Sequence, residues 1–195
     1  TYQTNFGVDY ALLNDRIYGS IDVYNSTTQD LLLFVTVPAA SGFDVALTNI
    51  GEVENKGFEF SLTSRNMVGQ FNWATDFNFA ANENTVTKLG PEGDDILSSG
   101  VAGARHITRI GDPIGSYYGY VVDGIYQSQA EIDAAPVDEL VGSGGARPGD
   151  FRFKDINGDG KITSDDRTVT GSYHPDYTFG ITNRFNYKNF DVNIF

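Results

Sequence analysis

The sequence predicts an all-β fold, a piece of an antiparallel transmembrane β-barrel with about six strands in three hairpins and long extracellular loops between them. Three observations lead there. Apolar and polar residues alternate strictly over runs of about ten residues, the length of a tilted membrane-crossing strand. The turns inside hairpins are short and the connections between hairpins long. The polar parity repeats Asn, Asp, Thr and Arg, as a hydrated interior would require.

Residues 1–12 open the pattern. Tyr2, Phe6, Val8, Tyr10 and Leu12 share one parity and Gln3, Asn5, Gly7, Asp9 and Ala11 the other, giving one apolar and one polar face. Asn14 and Asp15 supply a tight turn. Residues 16–25 return, with Ile17, Gly19, Ile21 and Val23 against Arg16, Tyr18, Ser20, Asp22 and Tyr24. A second hairpin pairs residues 54–65, carrying Phe58, Phe60 and Leu62, with residues 71–81, carrying Phe71, Trp73, Phe77 and Phe79. A third pairs Tyr177, Phe179, Ile181 and Phe185 with Phe190, Val192 and Ile194 across the turn at Tyr187, Lys188 and Asn189. The sequence opens inside one predicted strand and closes inside another, at residues 190–195, so these residues, 1–195, are expected to be part of a larger barrel.

A soluble antiparallel sandwich also alternates and stands as the second reading. Its strands recur every ~8–12 residues, whereas residues 26–53 and 82–176 read here as connections, far longer than a compact soluble domain usually carries. Tyr2, Tyr10, Tyr24, Trp73, Tyr177, Tyr187 and Phe190 lie near strand ends, where both interfacial girdles and cross-strand packing pairs fit them. The longest apolar-leaning run, residues 31–40, is broken by Thr36 and Pro38 and falls short of the ~18 residues of a membrane helix.

Composition narrows the function. Asp and Glu number 26 against 13 Lys and Arg, a net charge of -13, which argues against a nucleic-acid partner. With no cysteine there is no disulfide, thiolate metal site or thiol nucleophile. His106 and His174 form no ligand pair in the sequence, and no nucleophile elbow or phosphate loop occurs, so no enzyme is expected.

The most specific motif lies in the 82–176 region. Asp155, Asn157 and Asp159 at alternate positions, Gly160 at the bend, Lys161 offering its carbonyl and Asp166 closing the turn follow calcium-loop spacing. Alternating short oxygen-bearing side chains converge as such a loop curls, so a structural calcium ion held by these five residues is one reading. An Asx- and Gly-rich turn that holds no metal is the other. Tyr117, Tyr118, Tyr120 and Tyr126 offer stacking surfaces for sugar or peptide, or pack the loop on itself. Residues 129–135 read as one or two helical turns stopped by Pro136, and residues 142–149 as a mobile Gly-rich stretch.

Several of these motifs are familiar in order. Asn49, Ile50, Gly51, Asn55, Lys56, Gly57 and Glu59 resemble an N-I-G-x-x-x-N-K-G-x-E segment. The clusters Gly115 to Tyr120 and Asp123 to Tyr126, the run from Gly149 and Asp150 through Asp166, and Tyr187 to Asp191 resemble segments that follow it. Together they resemble the SusC/RagA family of TonB-dependent outer-membrane transporters over nearly the whole chain. The resemblance implies a 22-stranded barrel with an N-terminal plug, importing oligosaccharides or peptides. It also implies drive through TonB and a SusD-like surface lipoprotein as cap, with the plug and the TonB-contacting segment lying outside these residues. Two alternatives from other classes are a soluble calcium-stabilised β-domain that binds glycan or protein, and a passive porin or adhesin barrel without TonB coupling.

Overall fold

The structure is a computed structural model describing residues 1–36, 42–43, 45–90, 93–99, 105–142 and 144–195. In chain order its elements are β1 (Tyr2–Leu12), β2 (Ile17–Thr36), β3 (Val45–Met67), β4 (Phe71–Lys88), β5 (Ile96–Ser99), β6 (Arg105–Thr108), β7 (Ser116–Gly119), β8 (Val122–Ile125), α1 (Gln129–Ala134), β9 (Val137–Asp138), β10 (Phe151–Phe153), β11 (Lys161–Ile162), a 3-10 turn (Ser164–Asp166), β12 (Thr168–Gly171), β13 (Tyr177–Tyr187) and β14 (Phe190–Ile194). They form two units, one of Thr1–Asp95, Arg109–Ile114 and His174–Phe195, the other of Ile96–Thr108 and Gly115–Tyr173.

The first unit is a six-stranded antiparallel sheet in the order β1-β2-β3-β4-β13-β14, the three expected hairpins side by side. Its short turns follow local chemistry. Leu13, Asn14 and Asp15 all have positive φ, and Lys188 does the same between β13 and β14; Asn and Asp tolerate this region because their side chains bond locally.

Strands β2, β3 and β4 are longer than the alternation suggests, at 20, 23 and 18 residues. Most of residues 26–53, expected as a loop, continues the β2–β3 ladder to Thr36 opposite Val45. Likewise the 82–88 part of the expected loop is strand. The sequence pattern hides this because the ladder is bulged between Thr28 and Leu32, with Asp30 at φ 59, and each bulge resets the parity. Residues 37–41 and 44, the apex of that expected loop, lie outside the described residues.

Register fixes which residues share a face. Rows on the apolar face run from Phe71 and Tyr187, through Phe79, Phe179 and Phe60, to Ala81, Tyr177 and Phe58. Ten residues of strand span about 34 Å, or about 26 Å at a barrel tilt near 40°, which is the height of an outer-membrane apolar band. Beyond the last apolar row the same face turns charged. Lys56 and Glu54 pair at 2.7 Å, and Glu52 accepts from Gln29 at 2.7 Å and Thr87 at 2.8 Å. The outer halves of β2–β4 therefore belong in water.

The apolar face is uncovered: Phe6 is 72% exposed, Phe179 63% and Phe190 74%. A soluble sandwich would pack that face against a second sheet, and an apolar surface this large is otherwise lipid- or protein-facing. Near the short turns its aromatics stack as cross-strand pairs, Phe71 on Phe185 at 6.2 Å and Trp73 on Phe185 at 5.8 Å. The few polar groups on this face satisfy one another. Asn183 accepts from Trp73 at 3.0 Å and Thr75 at 2.8 Å, and Thr75 accepts from Asn66 at 2.8 Å.

The edge of β4 beyond Ala81 is taken by a loop. Gly111 donates to the Val86 carbonyl at 2.9 Å and Val86 to the Asp112 carbonyl at 3.0 Å. Val53, Val86 and Leu89 are buried in this unit.

The second unit holds the sheet β12-β7-β6-β5 and the two-stranded pairs β10-β8 and β11-β9. Its buried apolar residues are Ile107, Tyr126 and Ile162. The expected helical turns are α1, capped by the Ser128 hydroxyl, which accepts from the Glu131 N–H, and stopped before Pro136. In the Gly-rich 142–149 stretch, residue 143 lies outside the described residues, and Gly149 donates to the Tyr126 carbonyl at 2.8 Å.

Candidate functional site

Two features carry chemistry, one in each unit. The first is the polar face of the six-stranded sheet. Even residues of β2 and β4 and odd residues of β3 point there, so Tyr24 lies on this face and not with the aromatics of the apolar band. The correction follows from parity, since Tyr24 shares its face with Asp22 and Ser26.

Polar groups on this face are bonded across strands. Arg184 pairs with Asp76 at 2.7 Å, and Thr63 donates to the same carboxylate at 2.8 Å. Ser20 and Ser61 share a hydrogen bond at 2.9 Å, and the Arg65 guanidinium lies 5.6 Å from the Tyr18 ring centre. Further along, Tyr24 donates to Asn82 at 3.0 Å, and Asn82 and Asn84 both donate to Asn55, at 3.3 and 2.8 Å. Asn84 in turn accepts from the Ile114 N–H at 2.9 Å. A cavity of about 630 Å³ opens over this region, lined among others by Asn5, Asp22, Tyr24, Asn55, Glu59 and Asn82. The face is a wettable wall whose hydrogen-bonding groups are largely held in place by their neighbours.

The second feature is the turn at residues 155–166. Asp155 accepts from Gly158 at 2.6 Å with one oxygen and from Gly160 at 2.8 Å with the other. Asn157 accepts from the Asp159 N–H and Asp159 from the Lys161 N–H, each at 2.9 Å. Asp166 is fully buried and closes the turn, accepting from Ile156 at 2.8 Å and Thr163 at 2.7 Å. Lys161 extends its side chain to Glu139 at 2.6 Å, which raises its pKa, while its strand pairs with β9. The five residues singled out in the sequence thus build one connected turn. Among the described residues, no three His, Asp or Glu side chains converge to hold a metal.

The Thr163 N–H above all, with those of Ile156 and Asn157, holds the Asp166 carboxyl below the usual carboxylate range against the opposing effect of burial. A folded-state pKa below the unfolded value stabilises the turn above the unfolded carboxylate pKa of about 3.9, and this is lost as pH falls through the folded value. Hydrogen exchange is therefore expected to show Ile156 and Thr163 protected at neutral pH and released only below pH ~4, whereas release near pH 6 would contradict it.

The tyrosine cluster is packed in part and exposed in part. Tyr126 is buried, and Tyr120 packs on Phe153 at 5.4 Å beneath the Arg167 guanidinium. Tyr117 is exposed beside His106, whose Nδ1 meets the Gly115 carbonyl at 3.0 Å. The sequence gives His106 no evident partner, because a ring-to-carbonyl contact nine residues away leaves no mark in residue type.

Comparison with known proteins completes the description. The family model described as "TonB dependent receptor-like, beta-barrel" matches residues 1–194. TonB-dependent receptor P3 of Formosa agariphila is 42% identical over 199 residues, covering 99% of this chain and 19% of that protein. TonB-dependent receptor SusC of Bacteroides thetaiotaomicron is 32% identical over 197 residues, covering 96% of this chain and 18% of that protein. The solved RagAB peptide transporter superposes with a TM-score of 0.70 at 25% identity, covering 98% of this chain and 20% of that one. The chain thus spans about a fifth of the length of the relatives it matches.

Proposed function

Since the chain belongs to the TonB dependent receptor-like β-barrel family and so to an outer-membrane barrel, we propose that it is a section of wall and loop in an importer of oligosaccharides or peptides. Import is energised through TonB, and a SusD-like surface lipoprotein caps the barrel. The observation that carries this reading is the two-sided sheet, uncovered aromatics on one face and a bonded polar wall on the other. The similarity to a structure described as the RagAB peptide transporter supports a peptide cargo, and the ordered motifs that resemble the SusC/RagA family support the oligosaccharide alternative and the lipoprotein partner. A soluble glycan-binding domain does not fit an apolar face of membrane height.

Uptake of labelled oligosaccharides and peptides by cells carrying the full-length protein tests the reading. Uptake is expected to stop on deletion of TonB and on collapse of the proton gradient. Uptake that survives both treatments would favour the passive porin.

Calcium belongs to the proposal in a structural role at Asp155, Asn157, Asp159, Asp166 and the Lys161 carbonyl, supported by the spacing of these oxygens. Calorimetric titration of the full-length protein is expected to show calcium binding that Asp155→Ala and Asp159→Ala abolish. No binding by the parent would end this part.

A further inference from the structure

Gly57 sits beneath the ring of Tyr24 on the polar wall. A Cβ at Gly57 would lie 2.1 Å from Cζ, 2.3 Å from the hydroxyl oxygen and 2.4 Å from Cε1 of Tyr24. An approach in the ring plane would bring the hydroxyl oxygen nearest. Near-equal distances with Cζ closest place that point under the ring face. The ring therefore lies flat on the backbone of β3, where only glycine leaves room, and its other face is turned to the cavity. The hydrogen bond to Asn82 pins it, and Asn55 fixes Asn82 in turn.

Around this flat ring stand two carboxylates and several amides. Asp22 and Glu59 line the cavity, and neither has an ion-pair partner among the described residues. Ionised carboxylates only accept hydrogen bonds, while the Asn5 and Gln3 amides both donate and accept. The depression is open and mostly polar-lined, with a volume of about 630 Å³.

We infer that Tyr24 is the platform of a sugar-stacking subsite for a neutral pyranose unit of an oligosaccharide. Axial C–H groups on one sugar face meet the negative ring face, and the sugar hydroxyls donate to Asp22 and Glu59 and exchange hydrogen bonds with the amides. An anionic sugar or acidic peptide is repelled by the two carboxylates, and an apolar ligand would strand the amides unpaired. The row of Tyr24 and Gly57 adjoins the last apolar row, at the rim of the apolar band. The inference rests on the importer reading and narrows its cargo to glycans.

The test uses the full-length transporter in detergent, titrated calorimetrically with maltohexaose, cellohexaose, xylohexaose, hexalysine and hexaglutamate. The parent is expected to bind at least one neutral hexasaccharide. Tyr24→Ala should weaken that binding at least roughly tenfold, the scale of one lost stacked ring and its hydrogen bonds, whereas Tyr24→Phe, which keeps the ring, stays within about threefold. Gly57→Ala, which unseats the ring, should follow Tyr24→Ala. If Tyr24→Ala fails to fold, Asp22→Asn with Glu59→Gln is expected to weaken binding several-fold. A parent that binds none of the neutral sugars overturns the subsite, as does binding unchanged by Tyr24→Ala or, where that variant fails to fold, by the carboxylate pair. Ring-dependent sugar binding without TonB-dependent uptake would remove the importer and keep the subsite. TonB-dependent peptide uptake without sugar binding would do the reverse.

Discussion

Gly19→Ala is expected to destabilise the barrel by about 1–3 kcal/mol or more, the range for overpacking a site that cannot give way. A Cβ there would lie 1.9 Å from the Ser61 carbonyl oxygen, 2.7 Å from its carbon and 2.8 Å from the Tyr10 hydroxyl. The obstacle is backbone on the neighbouring strand, so no rotamer change relieves it. Tyr10, opposite Gly19, crosses β2 to donate to that carbonyl at 2.9 Å, tying three strands together. Thermal unfolding of the full-length protein in detergent is the measurement. Tyr10→Phe, which removes only the hydrogen bond, should cost about 1 kcal/mol. Gly7→Ala serves as the control, because the atoms nearest its Cβ belong to the Asp22 side chain, which can rotate away. Equal midpoints for Gly19→Ala and Gly7→Ala would refute the steric account.

Asp166→Ala is expected to unfold the turn at residues 155–166 while leaving the six-stranded sheet intact. The carboxylate is the acceptor for the Ile156 and Thr163 N–H groups and also closes the 3-10 turn by its capping box. Alanine removes the acceptor of both donors at a part-buried position, which costs stability. Limited proteolysis should cut the variant within this turn and spare the parent, and exchange at Ile156 and Thr163 should speed up by roughly an order of magnitude or more. Asp166→Asn keeps one acceptor oxygen and should fall between the two. A variant as resistant to protease as the parent would show that packing and the remaining hydrogen bonds of the turn, not this carboxylate, hold it.

The hairpins were legible in the sequence wherever parity survived. Within 1–25, 58–81 and 177–194 the apolar parity is kept over most strand positions on either side of the short turns, and the sheet pairs these strands as the pattern requires. The strands were illegible where the pattern lost its meaning. Beyond the apolar rows the outer face of β2–β4 is charged, so Glu52, Glu54 and Lys56 look like loop residues, and bulges near Asp30 shift the phase. The turn at 155–166 was legible as spacing, because consecutive Asx turns depend only on neighbours.

What the sequence determined by itself is therefore local: period-2 faces, short turns, the oxygen-bearing loop and the order of family motifs. Tertiary structure alone decided which polar groups meet across strands. The Tyr24 ring rests on Gly57, 33 positions away, and the Tyr10 hydroxyl reaches Ser61, 51 positions away, because strand register places them together. Register follows from pairing the whole sheet at once, and no window of sequence contains it.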